Sequence, residues 1–80
     1  MGKTEIGVAV GGLLGKWLGH TDFQGSSSLQ ALGLDRDDVQ EILIRLEDAL
    51  GLTILPGVHD RFLDTATSVD SLVEFLFQQG

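Results

Sequence analysis

Leu32-Gly33-Leu34-Asp35-Arg36-Asp37-Asp38-Val39-Gln40-Glu41-Ile42-Leu43-Ile44-Arg45-Leu46-Glu47-Asp48-Ala49-Leu50 reads as a helix with the turn that precedes it. Val39, Ile42, Leu43, Leu46 and Leu50 recur at i, i+3, i+4, i+7 and i+11, the spacing of one helix face. Asp35 is a residue type that caps a helix start, because its carboxylate accepts from unpaired first-turn amides. Asp37 and Asp38 follow in the first turn, where the helix dipole favours negative charge. Gly51 closes the pattern as a C-terminal glycine.

The same period extends outward. Ile6, Val10, Leu13, Leu14, Trp17 and Leu18 form an earlier stripe, and Val69, Leu72, Val73 and Leu76 a later one. Thr67 and Asp70 are spaced as a capping box for the last helix. Breaks fall at Gly19 to Ser28 and at Leu55-Pro56-Gly57. His59 to Leu63 reads as a short helical turn. Gly7, Gly11, Gly12 and Gly15 each cost the first helix about 1 kcal/mol relative to Ala, and close approach of another backbone would explain them. Alternating runs long enough for strands are missing. The expectation is an all-α fold, a four-helix bundle with three long helices and one short one, in a single domain over 1–80.

The chain has 80 residues, 42% hydrophobic and 21% charged, which is a globular composition. Size scaling predicts a folded surface of about 4,700 Å², down from roughly 12,500 Å² unfolded, so one core with little spare stability. A net charge of −7 repels phosphate backbones and anionic lipid, so neither nucleic acid nor membrane insertion is expected. A basic protein surface is the favoured partner, met by a monomer. Zero cysteines exclude disulfides and thiolate chemistry. The apolar run from Ile6 to Leu18 is interrupted by Lys16 and is shorter than the ~20 residues a span needs. No cleavage signal follows it, and Ile6 stands where a myristoylation signal wants Ser or Thr. Cytoplasmic localisation is the expectation.

Catalytic and metal constellations do not assemble. Gly2-Lys3-Thr4 matches only the tail of a phosphate-binding loop. Asp35-Arg36-Asp37-Asp38 would open a calcium loop, but Val39, Gln40 and Leu46 stand where that loop needs an acid or amide, Gly and Glu. His20 and His59 have no second ligand at helical spacing and read as solvated loop histidines. Ser26, Ser27 and Ser28 have no adjacent base. No enzyme activity is expected.

The acidic helix carries more information. Asp35, Asp37, Asp38, Glu41, Glu47 and Asp48 against Arg36 and Arg45 leave −4 within 14 residues, more than half the net charge. Ile44 lies off the buried stripe and among these acids. An exposed apolar residue ringed by carboxylates suits docking of a basic partner. Glu41, Ile44, Glu47 and Asp48 are expected to face solvent.

The stretch from Leu32 to Leu50 also resembles the second helix of acyl carrier proteins, whose pattern is Leu-Gly-x-Asp-Ser-Leu-Asp followed by an apolar-periodic helix ending in Leu-Glu and further acids. Trp17-Leu18-Gly19 and the long loop before it agree with that family, as do Gly51 to Pro56 and Thr67 to Phe77. The resemblance covers nearly the whole chain. It implies a role beside fatty-acid or polyketide synthesis, with synthase-type enzymes as partners. In the family, the serine after the Asp carries 4′-phosphopantetheine; here that position is Arg36, and Asp37 replaces the usual Leu. A guanidinium has no hydroxyl to form the phosphodiester, so no prosthetic group is expected at Arg36. Asp70-Ser71-Leu72 spells the family tripeptide, yet only eight residues follow Leu72, too few for the helices that should come after it. Ser71 therefore reads as a helix residue. The expected function is a carrier-like interaction domain that docks through Asp35, Asp37, Asp38, Glu41, Ile44, Glu47 and Asp48. The alternatives are a working carrier modified on Ser71 or on Ser26–Ser28, and a small helical adaptor outside lipid metabolism.

Overall fold

The computed structural model describes residues 2–65 and 68–79. Four α-helices form in the order α1 (Lys3–Leu18), α2 (Arg36–Leu50), α3 (Pro56–Thr65) and α4 (Val69–Gln79). Among the described residues there is no strand, only an isolated antiparallel bridge between Ser28 and Ser68. The fold is all-α, a small four-helix bundle.

Each stripe goes where its period sends it. Ile6, Val10 and Leu14 of α1, Val39, Ile42, Leu43 and Leu46 of α2, and Val69, Leu72, Val73 and Leu76 of α4 are buried together. Leu13, Trp17, Leu18 and Leu50 flank the core, half-buried. Full burial of such a side chain contributes about 1.5–3 kcal/mol, so these stripes outweigh the glycine cost in α1. The glycines themselves correct one expectation. Among the described residues a Cβ at Gly7, Gly11 or Gly12 would meet nothing within 4 Å, whereas one at Gly15 would meet Thr21 Cγ2 at 3.3 Å and His20 O at 3.8 Å, so only Gly15 has the close neighbour expected.

The third helix is longer than the short turn expected at His59 to Leu63. Pro56 is its first residue, where the missing N–H costs nothing and the fixed φ suits a helix. At 10 residues it nearly equals the 11 of α4, so only α1 and α2 are long. Phe62 and Leu63 bury its inner face, and Phe62 stacks on Phe75 of α4 with ring centroids 4.2 Å apart.

The segments between helices supply core as well. Leu29, Leu34 and Ile54 are buried although none lies in a helix. The loop from 19 to 35 is held by the start of α4. The amides of Val69 and Asp70 donate to the carbonyls of Ser27 and Gly25 at 3.1 and 2.8 Å, which satisfies two otherwise unpaired first-turn N–H groups. Gly25 lies so close against the Asp70 carboxylate that a Cβ at this position would collide with it. The expected capping box at Thr67 and Asp70 lies outside the described residues on its Thr67 side. Ser68 and Ser71 make reciprocal bonds at this helix start: each amide donates to the other's hydroxyl, at 3.0 and 3.1 Å.

At the other end, Lys3 of α1 pairs with Glu74 of α4 at 2.5 Å. Their hydrogen bond and mutual attraction raise the Lys3 pKa and lower that of Glu74. No helix among the described residues is long and apolar enough to cross a membrane.

Candidate functional site

The candidate site lies on α2. Its start is fixed by Asp35 and Asp38, which form a full capping box: Asp35 Oδ1 accepts the Asp38 N–H at 2.8 Å and Asp38 Oδ2 accepts the Asp35 N–H at 3.3 Å. These two acids, expected in the docking set, are thus committed first to the helix end. Its finish is a Schellman turn, with Gly51 N–H donating to Asp48 O and Leu52 N–H to Glu47 O at 2.9 Å. Gly51 adopts φ 69°, a conformation that disfavours any residue with a Cβ.

Between those ends the outward residues sort by period. Asp37, Glu41, Ile44 and Asp48 recur at i, i+4, i+7 and i+11, directly opposite the buried stripe. All four are exposed, Ile44 at 46%. Arg45 pairs with Glu41 at 3.2 Å and lies 5.3 Å over the Trp17 ring, on the α1 side of this face. An exposed i,i+4 pair contributes only ~0.3–0.5 kcal/mol, so Glu41 remains available to a partner.

Glu47 departs from expectation. Its side chain is only 18% exposed and does not belong to the outward stripe. The chain reverses at Gly51 and brings Ile54 back beside α2, where Glu47 Oε1 accepts the Ile54 N–H at 3.0 Å. A buried amide needs a partner, and this carboxylate is the one in reach. His59 departs too. Rather than a solvated loop residue, it lies on α3 with 9% exposure, its Nε2 3.7 Å from Glu47 Oε2. Its burial was legible in the sequence, since His59, Phe62 and Leu63 share i, i+3, i+4 spacing. Its pairing with Glu47 was not.

Arg36, at the position where the resemblance would put the prosthetic group, is the first residue of α2, and its guanidinium bonds Asp64 of α3. Below it, Leu29, Leu34, Val39 and Leu63 line a pocket that Arg36 helps to close. Ser71 stands in the first turn of α4, half-buried, with its hydroxyl also donating to Ser68 O at 2.7 Å. In the loop, Ser27 Oγ accepts the Gln24 N–H at 2.8 Å and Ser28 Oγ the Ala31 N–H at 3.4 Å, while Ser26 is exposed. Among the described residues no three His, Asp or Glu side chains gather as a metal site.

No family model matches this chain, nor does any curated protein or solved structure.

Proposed function

We propose that this chain is an acyl-carrier-like interaction domain, not an enzyme, that does not carry 4′-phosphopantetheine at Arg36 and docks basic surfaces of synthase-type partners. The observation that carries the reading is Ile44: an apolar side chain 46% exposed, between Glu41 and Asp48 on the face of α2 opposite the core. Carboxylates in such a setting raise association rate and specificity, and a central apolar anchor supplies affinity. The Arg36–Asp64 pair supports the second half, because the residue at the attachment position is tied to α3 and has no nucleophilic oxygen. The engaged hydroxyl of Ser71 speaks against modification there.

The test is association kinetics with a ketosynthase-type enzyme. Glu41→Lys and Asp48→Lys should slow association and flatten its salt dependence, and Ile44→Ala should speed dissociation. Equal binding by all variants would sink the proposal. Intact mass after incubation with coenzyme A and a phosphopantetheinyl transferase should leave the parent unchanged. A mass gain on the parent would establish a working carrier instead.

A further inference from the structure

Beside the exposed stripe a groove runs between α2 and α3. Ile44, Ile54 and Pro56 give it apolar walls, and Glu47, His59 and Asp60 supply polar atoms. Glu47 and His59 are held largely out of solvent, with side chains 18% and 11% exposed. His59 Nε2 is buried and has no hydrogen-bond partner among the described residues. Buried polar atoms of this kind ordinarily have one. A groove with apolar walls, an acidic rim and a buried imidazole is more than a solvated crease.

Those features fit one kind of side chain. Lysine and arginine lay a methylene stem along apolar surface while keeping the charged head among polar groups. In a chain of net charge −7, an acidic occupant is disfavoured. We infer that the α2–α3 groove seats one lysine or arginine side chain of a basic partner, with its stem on Ile44, Ile54 and Pro56 and its head at Glu47 and Asp60, and that His59 gates the seat by competing for Glu47. This rests on the docking function proposed above and adds to it the anchoring residue and its control.

The competition follows from how Glu47 is held. Oε1 already accepts the Ile54 N–H, so Oε2, the oxygen facing His59, is the one left for an incoming cation. The charged groups that line the groove with His59 are Glu47 from α2 and Asp60 from α3, and residues 52–55 carry none. A neutral imidazole leaves the carboxylate to the partner. An imidazolium neutralises Glu47 and repels the arriving cation. Linkage requires that a proton that weakens binding is itself bound more weakly in the complex, so binding should weaken when His59 is protonated.

The probe is a short peptide with one central lysine flanked by leucines, blocked at both ends and titrated into the full isotopically labelled chain. Amide signals of Ile44, Ile54 and His59 should move together. Affinity should be about fivefold lower in mildly acid than in neutral buffer, the size of one ion pair. The same peptide with norleucine for lysine should bind more weakly and lose the pH dependence. Glu47→Gln keeps an oxygen for Ile54 and should weaken the lysine peptide, while His59→Gln should flatten its pH profile. If His59→Gln fails to fold, the lysine–norleucine comparison across pH on the native chain tests the same gate. Signals that move only at Asp37, Glu41 and Asp48 would overturn the groove and leave the docking face standing. Groove binding that is indifferent to pH would overturn the His59 gate. If neither the lysine peptide nor a basic ketosynthase-type enzyme binds, both readings fall.

Discussion

Glu47 and Ile44 are three residues apart on one helix, yet their removal should affect stability very differently. Ile44 is 46% exposed, so Ile44→Ala should change stability by no more than about 0.5 kcal/mol while weakening the docking proposed for this face. Glu47→Ala strips the Ile54 N–H of its acceptor, and an orphaned buried donor costs about 1–3 kcal/mol. Denaturant midpoints of the two variants, with Asp48→Ala as the exposed-acid control, check this. A loss of ~2–5 kcal/mol for Ile44→Ala, the range of core truncations, would place Ile44 inside and dissolve the docking face. The sequence read Ile44 correctly because helical period alone separates inward from outward. It misread Glu47 because the amide that engages it arrives from seven residues further on, around a turn.

At the scale of elements, the ends of the helices are specified locally. Asp35→Ala should cost about 0.5–2 kcal/mol through loss of the α2 capping box, measurable as a lowered unfolding midpoint. Asp35, Asp38 and Gly51 are all close neighbours of the backbone groups they satisfy, so their duties can be read from spacing. Contacts between elements cannot. The Lys3–Glu74 pair joins α1 to α4, and its sign with pH is fixed by both partners. Glu74 is lowered by its bond to Lys3, so its contribution is full above the ordinary glutamate range and lost as pH falls through its folded value. Lys3 is raised by the same bond, so its contribution is full below the ordinary lysine range and lost as pH rises through its folded value. The stability difference between the native chain and Glu74→Gln should accordingly vanish in acid and in strong alkali. A difference that persists at acid pH would show that the pair is not its source.

For the molecule as a whole, the accessible surface is 4796 Å², close to the roughly 4,700 Å² that chain length dictates. The burden on so small a core is self-repulsion from the net charge of −7, more than half of it between Asp35 and Asp48. Each close pair of like charges costs about 1 kcal/mol in water, and salt at 0.15 M screens beyond about 8 Å. The melting temperature should therefore rise between low and moderate ionic strength. A melting temperature that does not move would mean that Arg45 and Arg36 already offset the crowding through their pairs with Glu41 and Asp64.

Period and near-neighbour chemistry alone encode the three amphipathic stripes, the cap at Asp35, the stop at Gly51 and the exposed face around Ile44. The third helix is legible too, because Pro56 suits a first helical position as well as a break. Only the tertiary structure decided which loop residues join the core, that Arg36 would reach Asp64, and that Glu47 and His59 would meet across two helices. The physical reason is that a helix face follows from the turn angle between successive residues. A contact across elements depends on how the connection folds back, and that is settled by burial of Leu29, Leu34 and Ile54 against faces far away in the chain.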